Sequence, residues 1–199
     1  HTYIATPDKE IMEFCKLNSM HSIMTSDEHE RCTSRTLEAV LKLNKLNKRI
    51  SKIVMLQGDE PLISSNMLKQ SLESLQSSKI TNLVTRISDT KEIDDVNEVK
   101  VVLSANGNAI YFSRSRIPAT KDDIDYDIYK QVCAIAFDLE SLKLFENLPE
   151  STLEKIESID MNRLIENEIQ IKAVIVDGQI ASVDTPRDLK KVEQLISNG

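Results

Sequence analysis

The segment 52–57, Lys-Ile-Val-Met-Leu-Gln, limits the folds open to this chain more than any other. It predicts a β-strand whose apolar residues lie on both faces. An interior strand of a parallel sheet has this character because helices cover both sides of it. The segment therefore indicates an α/β fold with helices above and below a sheet.

Apolar runs of strand length alternate with amphipathic stretches of helical period along the rest of the chain. Strands are predicted at 3–6, 22–25, 52–57, 82–87, 100–103, 109–112, 132–137 and 169–176. Helices are predicted at 8–17, 33–47, 64–75, 139–145 and 153–166 and from 186 onward. Asn106-Gly107 predicts a hairpin turn, and 121–127 predicts a surface loop. We expect one three-layer α/β domain over 1–199, with a mostly parallel sheet and an antiparallel hairpin excursion.

Composition excludes several function classes. The 25 basic and 32 acidic residues give a net charge of −7, which disfavours binding to nucleic acid. No apolar run approaches the ~18 residues that a membrane span requires. The four glycines are too scattered for a Walker A loop or a GxGxxG fingerprint.

Asp59 is the first candidate for a site residue, because it directly follows the apolar strand 52–57. Ligands of open α/β sheets bind beyond the carboxyl ends of strands, and a carboxylate there suits Mg²⁺. Gly58 would let a ligand approach the backbone closely. The alternative is an ordinary acidic turn between a strand and a helix.

Asp184 follows a second apolar strand, in Val183-Asp184-Thr185-Pro186. Its alternative role is helix capping, since Asp184 or Thr185 can cap a helix that has Pro186 in its first turn. Asp59 and Asp184 could instead converge on one Mg²⁺, which typically takes one or two carboxylates together with substrate phosphates. The pair therefore favours chemistry on a phosphate substrate.

Arg114 and Arg116 form the third candidate, because strand alternation places them on the same face. Guanidinium groups bind carboxylates and phosphates through paired hydrogen bonds. The alternative is the solvated end of a strand.

Five segments together resemble the 3-deoxy-manno-octulosonate cytidylyltransferase (CMP-Kdo synthetase) family over essentially the whole chain. Each is modest alone, but their order and spacing match the family. The segments are Gln57-Gly58-Asp59-Glu60-Pro61-Leu62-Ile63, Val99-Lys100-Val101-Val102, Tyr111-Phe112-Ser113-Arg114-Ser115 with Ile117-Pro118, Leu153-Glu154-Lys155-Ile156-Glu157, and Val183-Asp184-Thr185-Pro186-Arg187-Asp188-Leu189.

The resemblance implies a nucleotide-diphospho-sugar transferase fold and a homodimer. The three cysteines are odd in number and widely separated, which fits a reducing compartment and predicts a cytoplasmic protein. The resemblance also implies that CTP and an acidic keto-sugar give a CMP-sugar and pyrophosphate with Mg²⁺. Asp59 and Asp184 fall on the family's metal-binding aspartates, and Gln57 and Gly58 fall beside the nucleotide. Arg114 falls on an arginine that binds the sugar carboxylate, so Asp59, Asp184 and Arg114 are the expected catalytic residues.

The chain departs from the family pattern at several places. A segment of the form Arg-x-x-Ser-x-Arg-x-Pro-x-Lys, which holds the CTP phosphates, would precede Thr2, so we expect the first strand and phosphate loop to lie outside this sequence. The nucleotide motif Ser-Gly-Thr-Glu/Asp-Arg keeps only Thr33 and Arg35, which we expect to bind the nucleotide. The family's sugar-contacting His and Tyr appear as Gln131 and Ile135.

A Glu-Gln pair of the family appears as Asp160-Met161. We therefore expect Gln131, Ile135, Asp160, Met161 and Arg114 to contact the sugar. Ile135 and Met161 would form an apolar wall, which predicts a preference for a sugar with a modified tail over Kdo itself.

The predicted function is a cytidylyltransferase that activates Kdo or a related 3-deoxy-2-ketoaldonic acid. The alternative is a catalytically degenerate homologue that binds nucleotide or serves as a structural dimer module. A dimerisation lobe is expected around 99–137, because the apolar strand 132–137 would be exposed if it lay at a sheet edge.

Overall fold

The computed structural model describes residues 1–46, 49–119, 126–178, 180–183 and 185–197. The strands within these ranges are Ile4–Thr6 (β1), Ser22–Met24 (β2), Lys52–Leu56 (β3), Ile80–Arg86 (β4), Lys100–Leu103 (β5), Ala109–Ser113 (β6), Tyr129–Asp138 (β7) and Lys172–Ile175 (β8). The helices are Lys9–Leu17 (α1), Cys32–Lys45 (α2), Ser65–Ser74 (α3), Thr90–Ile93 (α4), Leu139–Asn147 (α5), Thr152–Glu157 (α6), Met161–Glu166 (α7) and Pro186–Ser197 (α8). The short helix α4 was not predicted, and residues 121–125 of the predicted loop lie outside the described ranges.

The strands form two sheets. β1 and β2 pair in parallel, and a six-stranded sheet has β7 at its centre. Antiparallel ladders join β7 to β3, β4 and β5, and β5 to β6, whereas β8 pairs in parallel with β4. Because β3, β4 and β5 are each antiparallel to β7, these three strands and β8 all run in one direction, as the predicted mostly parallel sheet requires.

Two expectations about individual strands are corrected. The described partner of β3 is the antiparallel strand β7, although its two apolar faces suggested a parallel neighbour. The strand 132–137 is not a sheet edge, because β7 is paired on both sides and Val132, Ala134 and Ala136 are inaccessible to solvent. Its apolar composition therefore reflects burial within one chain and gives no argument for a subunit interface.

Helices cover both faces of the large sheet, which confirms the three layers. On one face, Leu37 of α2, Phe145 of α5 and Leu164 of α7 join a core cluster that contains Phe137 of β7. On the other face, Met67 of α3 packs in a second cluster with residues of β4 and β7. No helix among the described residues is long and apolar enough to cross a bilayer.

Local sequence explains most helix starts. The side chains of Asp8, Ser64 and Asp138 cap α1, α3 and α5 by accepting hydrogen bonds from first-turn N–H groups. The helix predicted over 153–166 is in fact two helices, because Ser158 adopts a left-handed conformation with a φ of 54°. This break separates α6 from α7 and turns the chain toward α2.

Candidate active site

The turn after β3 forms the centre of the candidate site. The Gln57 N–H extends the ladder by donating to the Cys133 carbonyl (3.1 Å), and the Glu60 N–H closes a turn onto the Gln57 carbonyl (3.4 Å). Asp59 is thereby placed where the strand ends. The Val183 N–H donates to the Asp59 carbonyl at 2.9 Å, so the chain next to Asp184 reaches the same edge.

Asp184 itself lies outside the described residues, and its predicted meeting with Asp59 stays a prediction. The bond of the Val183 N–H to the Asp59 carbonyl brings the chain next to Asp184 to the end of β3. The expected apolar strand before Asp184 is wrong, because β8 ends at Ile175 and residues 180–183 are not part of a strand. Thr185 begins α8 in the way that the capping alternative describes, since its hydroxyl accepts from the Asp188 N–H while the Asp188 carboxylate accepts from the Thr185 N–H. Capping by Thr185 leaves the role of Asp184 open.

Gly58 lies beside Asp59 in a conformation with open space around it. A Cβ atom added at Gly58 would meet no protein atom within 4 Å. Packing among the described residues therefore does not require a glycine here. Room for a ligand at the backbone, which the sequence predicted at Gly58, agrees with this geometry.

Glu60 joins the turn to the central strand, a role that the sequence did not reveal. Its side chain is buried, and Oε1 accepts a hydrogen bond from the Cys133 N–H at 3.1 Å. Burial raises the pKa of the Glu60 carboxyl, and the hydrogen bonds from Cys133 and Ser182 only partly offset this effect. Glu60 thus holds the turn, β7 and the 182–183 segment together.

Thr33 and Asp160 meet between α2 and the start of α7. The Thr33 hydroxyl donates to Asp160 Oδ2 at 2.7 Å, and Arg31 lies 3.6 Å from Asp160 Oδ1. Thr33 is fully buried, and burial raises the pKa of the Asp160 carboxyl, which Thr33 and Arg31 counteract. The structure therefore joins a predicted nucleotide residue to a predicted sugar residue through a direct hydrogen bond.

Arg35 organises the loop before α2. Its guanidinium donates to Thr25 Oγ1 (2.8 Å), to the Ser26 carbonyl (2.8 Å) and to the His29 carbonyl (3.0 Å). These bonds fix the chain that leads into the predicted nucleotide motif. The contact of Arg35 with a nucleotide stays a prediction, and its described partners are all protein groups.

Arg114 is held at the end of β6 by α6. Its Nε donates to the Glu157 carbonyl (2.7 Å) and its Nη1 to the Val96 carbonyl (3.0 Å). The Glu157 carboxylate accepts from the Arg114 N–H, the Tyr111 hydroxyl and the Ser113 hydroxyl. Glu157 therefore anchors the whole Tyr-Phe-Ser-Arg segment, a role that its place in the predicted helix 153–166 did not reveal.

Two predicted sugar residues belong to the core. Ile135 is 3% exposed and Met161 is inaccessible to solvent, and both pack in the main hydrophobic cluster. The apolar sugar wall predicted from these residues is therefore wrong for this conformation. Gln131 is half-buried, and its Nε2 donates to Asn82 Oδ1 at 2.6 Å.

A cleft of about 290 Å³ lies beside the 182–183 segment. Buried Lys130 holds its wall by contacting Glu92 (2.8 Å) and Glu98 (3.1 Å). The cleft is lined by Glu92, Asp95, Asn97, Glu98, Ala181, Ser182, Thr185, Arg187 and Asp188. Within the described ranges, no group of three or more His, Cys, Asp or Glu side chains is placed to hold a metal ion.

Comparisons with known proteins show the family to which the chain belongs. The cytidylyltransferase family model matches residues 1–171. The 3-deoxy-manno-octulosonate cytidylyltransferase of Lawsonia intracellularis is 38% identical over 98% of this chain and 76% of its own length. The 8-amino-3,8-dideoxy-manno-octulosonate cytidylyltransferase of Shewanella pealeana is 32% identical over 96% of this chain and 79% of its own length.

A solved structure gives the same result for the fold. The structure of CMP:2-keto-3-deoxy-manno-octonic acid synthetase complexed with CTP superposes with a TM-score of 0.89 and 30% identity, over 98% of this chain and 80% of that one. The predicted α/β nucleotidyltransferase fold is thereby confirmed.

Proposed function

Because the chain belongs to the 3-deoxy-manno-octulosonate cytidylyltransferase family, we propose that it is an enzyme that joins CMP from CTP to an acidic keto-sugar. In this reaction the anomeric hydroxyl of the sugar attacks the α-phosphate of CTP in line, and pyrophosphate leaves. The observation that carries the proposal is the sheet edge where Asp59 bonds to the segment next to Asp184. No covalent protein nucleophile is needed.

We propose further that Asp59 and Asp184 hold Mg²⁺. Carboxylate oxygens suit this ion, and one or two of them suffice when substrate phosphates supply further ligands. When bound, Mg²⁺ stabilises negative charge on phosphoryl oxygens. Asp59 would position the α-phosphate against the sugar hydroxyl, while the space at Gly58 accommodates the nucleotide.

The sugar is the part of the proposal on which the relatives differ. Their names specify 3-deoxy-manno-octulosonate in one case and its 8-amino-3,8-dideoxy form in another. We propose that this chain accepts an octulosonate of this class. The Arg114 guanidinium has five N–H groups, and the carbonyls of Glu157 and Val96 accept from two of them. The remaining N–H groups, on Nη1 and Nη2, are the ones that would bind the sugar carboxylate.

The proposal includes a homodimer in the cytoplasm, in which the hairpin of β5 and β6 is the expected interface. β6 is the end strand of the described sheet order, and Ile110 on this strand is 51% exposed. The outer backbone groups of β6 are bonded within the chain, since the Ala109 N–H donates to the Ile171 carbonyl (2.9 Å) and Asn162 bonds both the N–H and the carbonyl of Phe112. The exposed apolar side chain of Ile110 is therefore the feature that would pack against a second copy.

Pyrophosphate release tests the proposal. The protein is incubated with Mg²⁺, one of CTP, UTP or ATP, and one of the two octulosonates. We expect release with CTP and an octulosonate together and with neither alone. CTP binding without pyrophosphate release under any combination would instead assign the chain to the non-catalytic alternative. Release with an octulosonate and UTP or ATP, but not with CTP, would refute the proposed nucleotide.

A further inference from the structure

The ladder between β4 and β7 is interrupted beside the candidate site. Asn82 pairs with Ile135 and Val84 pairs with Gln131, so three residues of β7, 132–134, oppose one residue of β4. Irregularities of this kind are common next to active sites, where they change the direction of a side chain.

Side chains bond two backbone groups of β7 at the interruption, one on the side of β4 and one where the ladder with β3 ends. Asn82 Nδ2 donates to the Val132 carbonyl at 2.9 Å, and Glu60 Oε1 accepts from the Cys133 N–H at 3.1 Å. Both Asn82 and Glu60 are buried, so these bonds are shielded from competition by water. The irregular segment is therefore a built part of the fold.

The hydrogen bonds of Asn82 fix the orientation of two amides. Its Nδ2 donates to two backbone carbonyls, those of Leu83 (2.8 Å) and Val132 (2.9 Å). Because an amide nitrogen has two N–H groups, both are used, and the atom that faces Gln131 is the oxygen Oδ1. Gln131 must then present its own nitrogen, and Nε2 donates to Oδ1 at 2.6 Å.

The carbonyl oxygen of Gln131 is the atom left for a ligand. Within the described ranges, no protein group donates a hydrogen bond to this oxygen. It is not one of the side-chain oxygens that are both buried and without a partner, so solvent reaches it. The Gln131 side chain lies on the sheet face opposite to that of Lys130, because successive residues of a strand alternate between faces. Two residues further along β7, the Cys133 N–H donates to Glu60 of the turn that carries Asp59.

We infer that Asn82 is a positioning residue that turns the Gln131 carbonyl oxygen toward the bound sugar. Gln131 then selects a substrate that offers a hydrogen-bond donor, either a hydroxyl or an ammonium group, at that point. The inference rests on the proposed function and adds to it a determinant of sugar specificity. The nucleotide is not part of this contact.

The physical basis is the cost of an unpaired acceptor. A site built to bond a hydroxyl rejects an analogue that lacks it, because its own buried polar group loses a partner on binding. Without Asn82, the Gln131 amide could rotate and present either its nitrogen or its oxygen. The sugar would then have to select one of several orientations, and its affinity would fall.

Steady-state kinetics with Gln131→Met, Asn82→Ala and the double variant tests the inference. We expect Gln131→Met to raise the KM for the sugar by roughly 5- to 100-fold, the range for loss of one hydrogen bond, and to leave the KM for CTP unchanged. If Asn82 acts through Gln131, Asn82→Ala raises the same KM, and the double variant shows no more than the effect of Gln131→Met. Gln76→Met, at an exposed position, is the matched control.

Gln131→Glu provides a second test that leaves the buried Asn82 side chain in place. An ionised carboxylate cannot donate to Asn82 Oδ1, so we expect a raised sugar KM that returns toward the wild-type value as the pH falls and the carboxyl protonates. Running 3-deoxy-manno-octulosonate and its 8-amino form in parallel shows whether a hydroxyl or an ammonium group is the donor, as the 8-amino form alone carries the latter.

An unchanged sugar KM in both Gln131 variants of an active enzyme would overturn the inference. A rise in the KM for CTP equal to that for the sugar would overturn it as well, because the residue would then act on the whole site. Absence of turnover in the wild-type protein would instead contradict the proposed function, so the two failures are distinguishable.

Discussion

Asp59 is the single residue on which the proposed chemistry depends most. Replacing it with Asn keeps the size of the side chain and removes the charge that would hold Mg²⁺. We predict that Asp59→Asn abolishes pyrophosphate release and leaves the unfolding midpoint in urea close to that of the wild type. Asp177→Asn, at an exposed position, should retain activity. Substantial turnover by Asp59→Asn would remove Asp59 from the reaction.

A buried ion pair near the site has a purely structural role. Arg163 bonds both oxygens of Glu154 (2.6 and 2.7 Å), and Glu154 is inaccessible to solvent. Arg163→Met would leave the Glu154 carboxylate buried without its partner, which would lower the free energy of unfolding by ~3–5 kcal/mol. Urea denaturation measures this loss.

An exposed ion pair supplies the control for that measurement. Lys143 contacts Glu140 at 2.9 Å on the surface of α5, and Lys143→Met should cost only ~0.5 kcal/mol or less. Equal losses from Arg163→Met and Lys143→Met would contradict the structural role of the buried pair.

Sequence patterns at the residue scale predicted the acidic strand end but misplaced other acids. Glu154, Glu157 and Asp160 have helical spacing, and such a row of acids is typical of a solvated helix face. The structure buries Glu154 against Arg163, bonds Glu157 to the end of β6 and bonds Asp160 to Thr33. Periodicity could not show this, because these partners come from distant segments or from the opposite side of a helix break.

Helix α2 fixes the loop that precedes it through its charged side chains. The Glu38 carboxylate contacts the His29 ring and accepts from the Ser26 N–H at 2.9 Å, and Lys42 lies 2.5 Å from it. Partial burial would raise the pKa of Glu38, but the bonds from Lys42, Ser26 and His29 lower it from 4.5 to about 2.

This lowered pKa predicts a specific pH dependence of stability. The folded state favours the ionised carboxylate, so its stabilisation is complete above pH 4.5 and is lost as the pH falls toward about 2. We expect Glu38→Gln to flatten the decline in unfolding free energy across this window, measured by urea denaturation at each pH. Identical slopes for variant and wild type would contradict the assignment.

The boundaries of elements were predictable where local capping sets them and wrong where distant contacts do. Ser64 begins α3 as its sequence position predicts. The stretch 153–166 is periodic enough for one helix, yet Ser158 breaks it, and Arg114 bonds the Glu157 carbonyl that would otherwise continue the helix. Such a tertiary contact has no signal in the local sequence.

The order of strands across the molecule was beyond the reach of local patterns. Apolar runs located the strands of both sheets, and Asn106-Gly107 correctly predicted the hairpin of β5 and β6. The reversed strand β7 lies among strands that run in one direction. Local patterns could not predict this arrangement, because the pairing of β7 with β3 and β4 joins segments about 80 and 50 residues apart. A hydrophobic run shows burial but not which neighbour provides it.

At the scale of the whole molecule, the hairpin of β5 and β6 is the proposed interface of a homodimer. We expect light scattering to show a dimer at micromolar concentration, with an interface of at least ~1,000 Å². Ile110→Asp on β6 should yield a monomer, whereas Ile156→Asp, at another exposed position, should remain dimeric. A monomeric wild-type protein would contradict this part of the proposal.

Phosphorus NMR of the reaction mixture tests the central claim most directly. With the protein, Mg²⁺, CTP and 3-deoxy-manno-octulosonate or its 8-amino form, the three CTP resonances should be replaced by one phosphodiester resonance and that of pyrophosphate. This result shows that the sugar hydroxyl, and not water, has attacked the α-phosphate. Unchanged CTP, or CMP with pyrophosphate and no phosphodiester, would contradict the assignment of this chain as a cytidylyltransferase for these sugars.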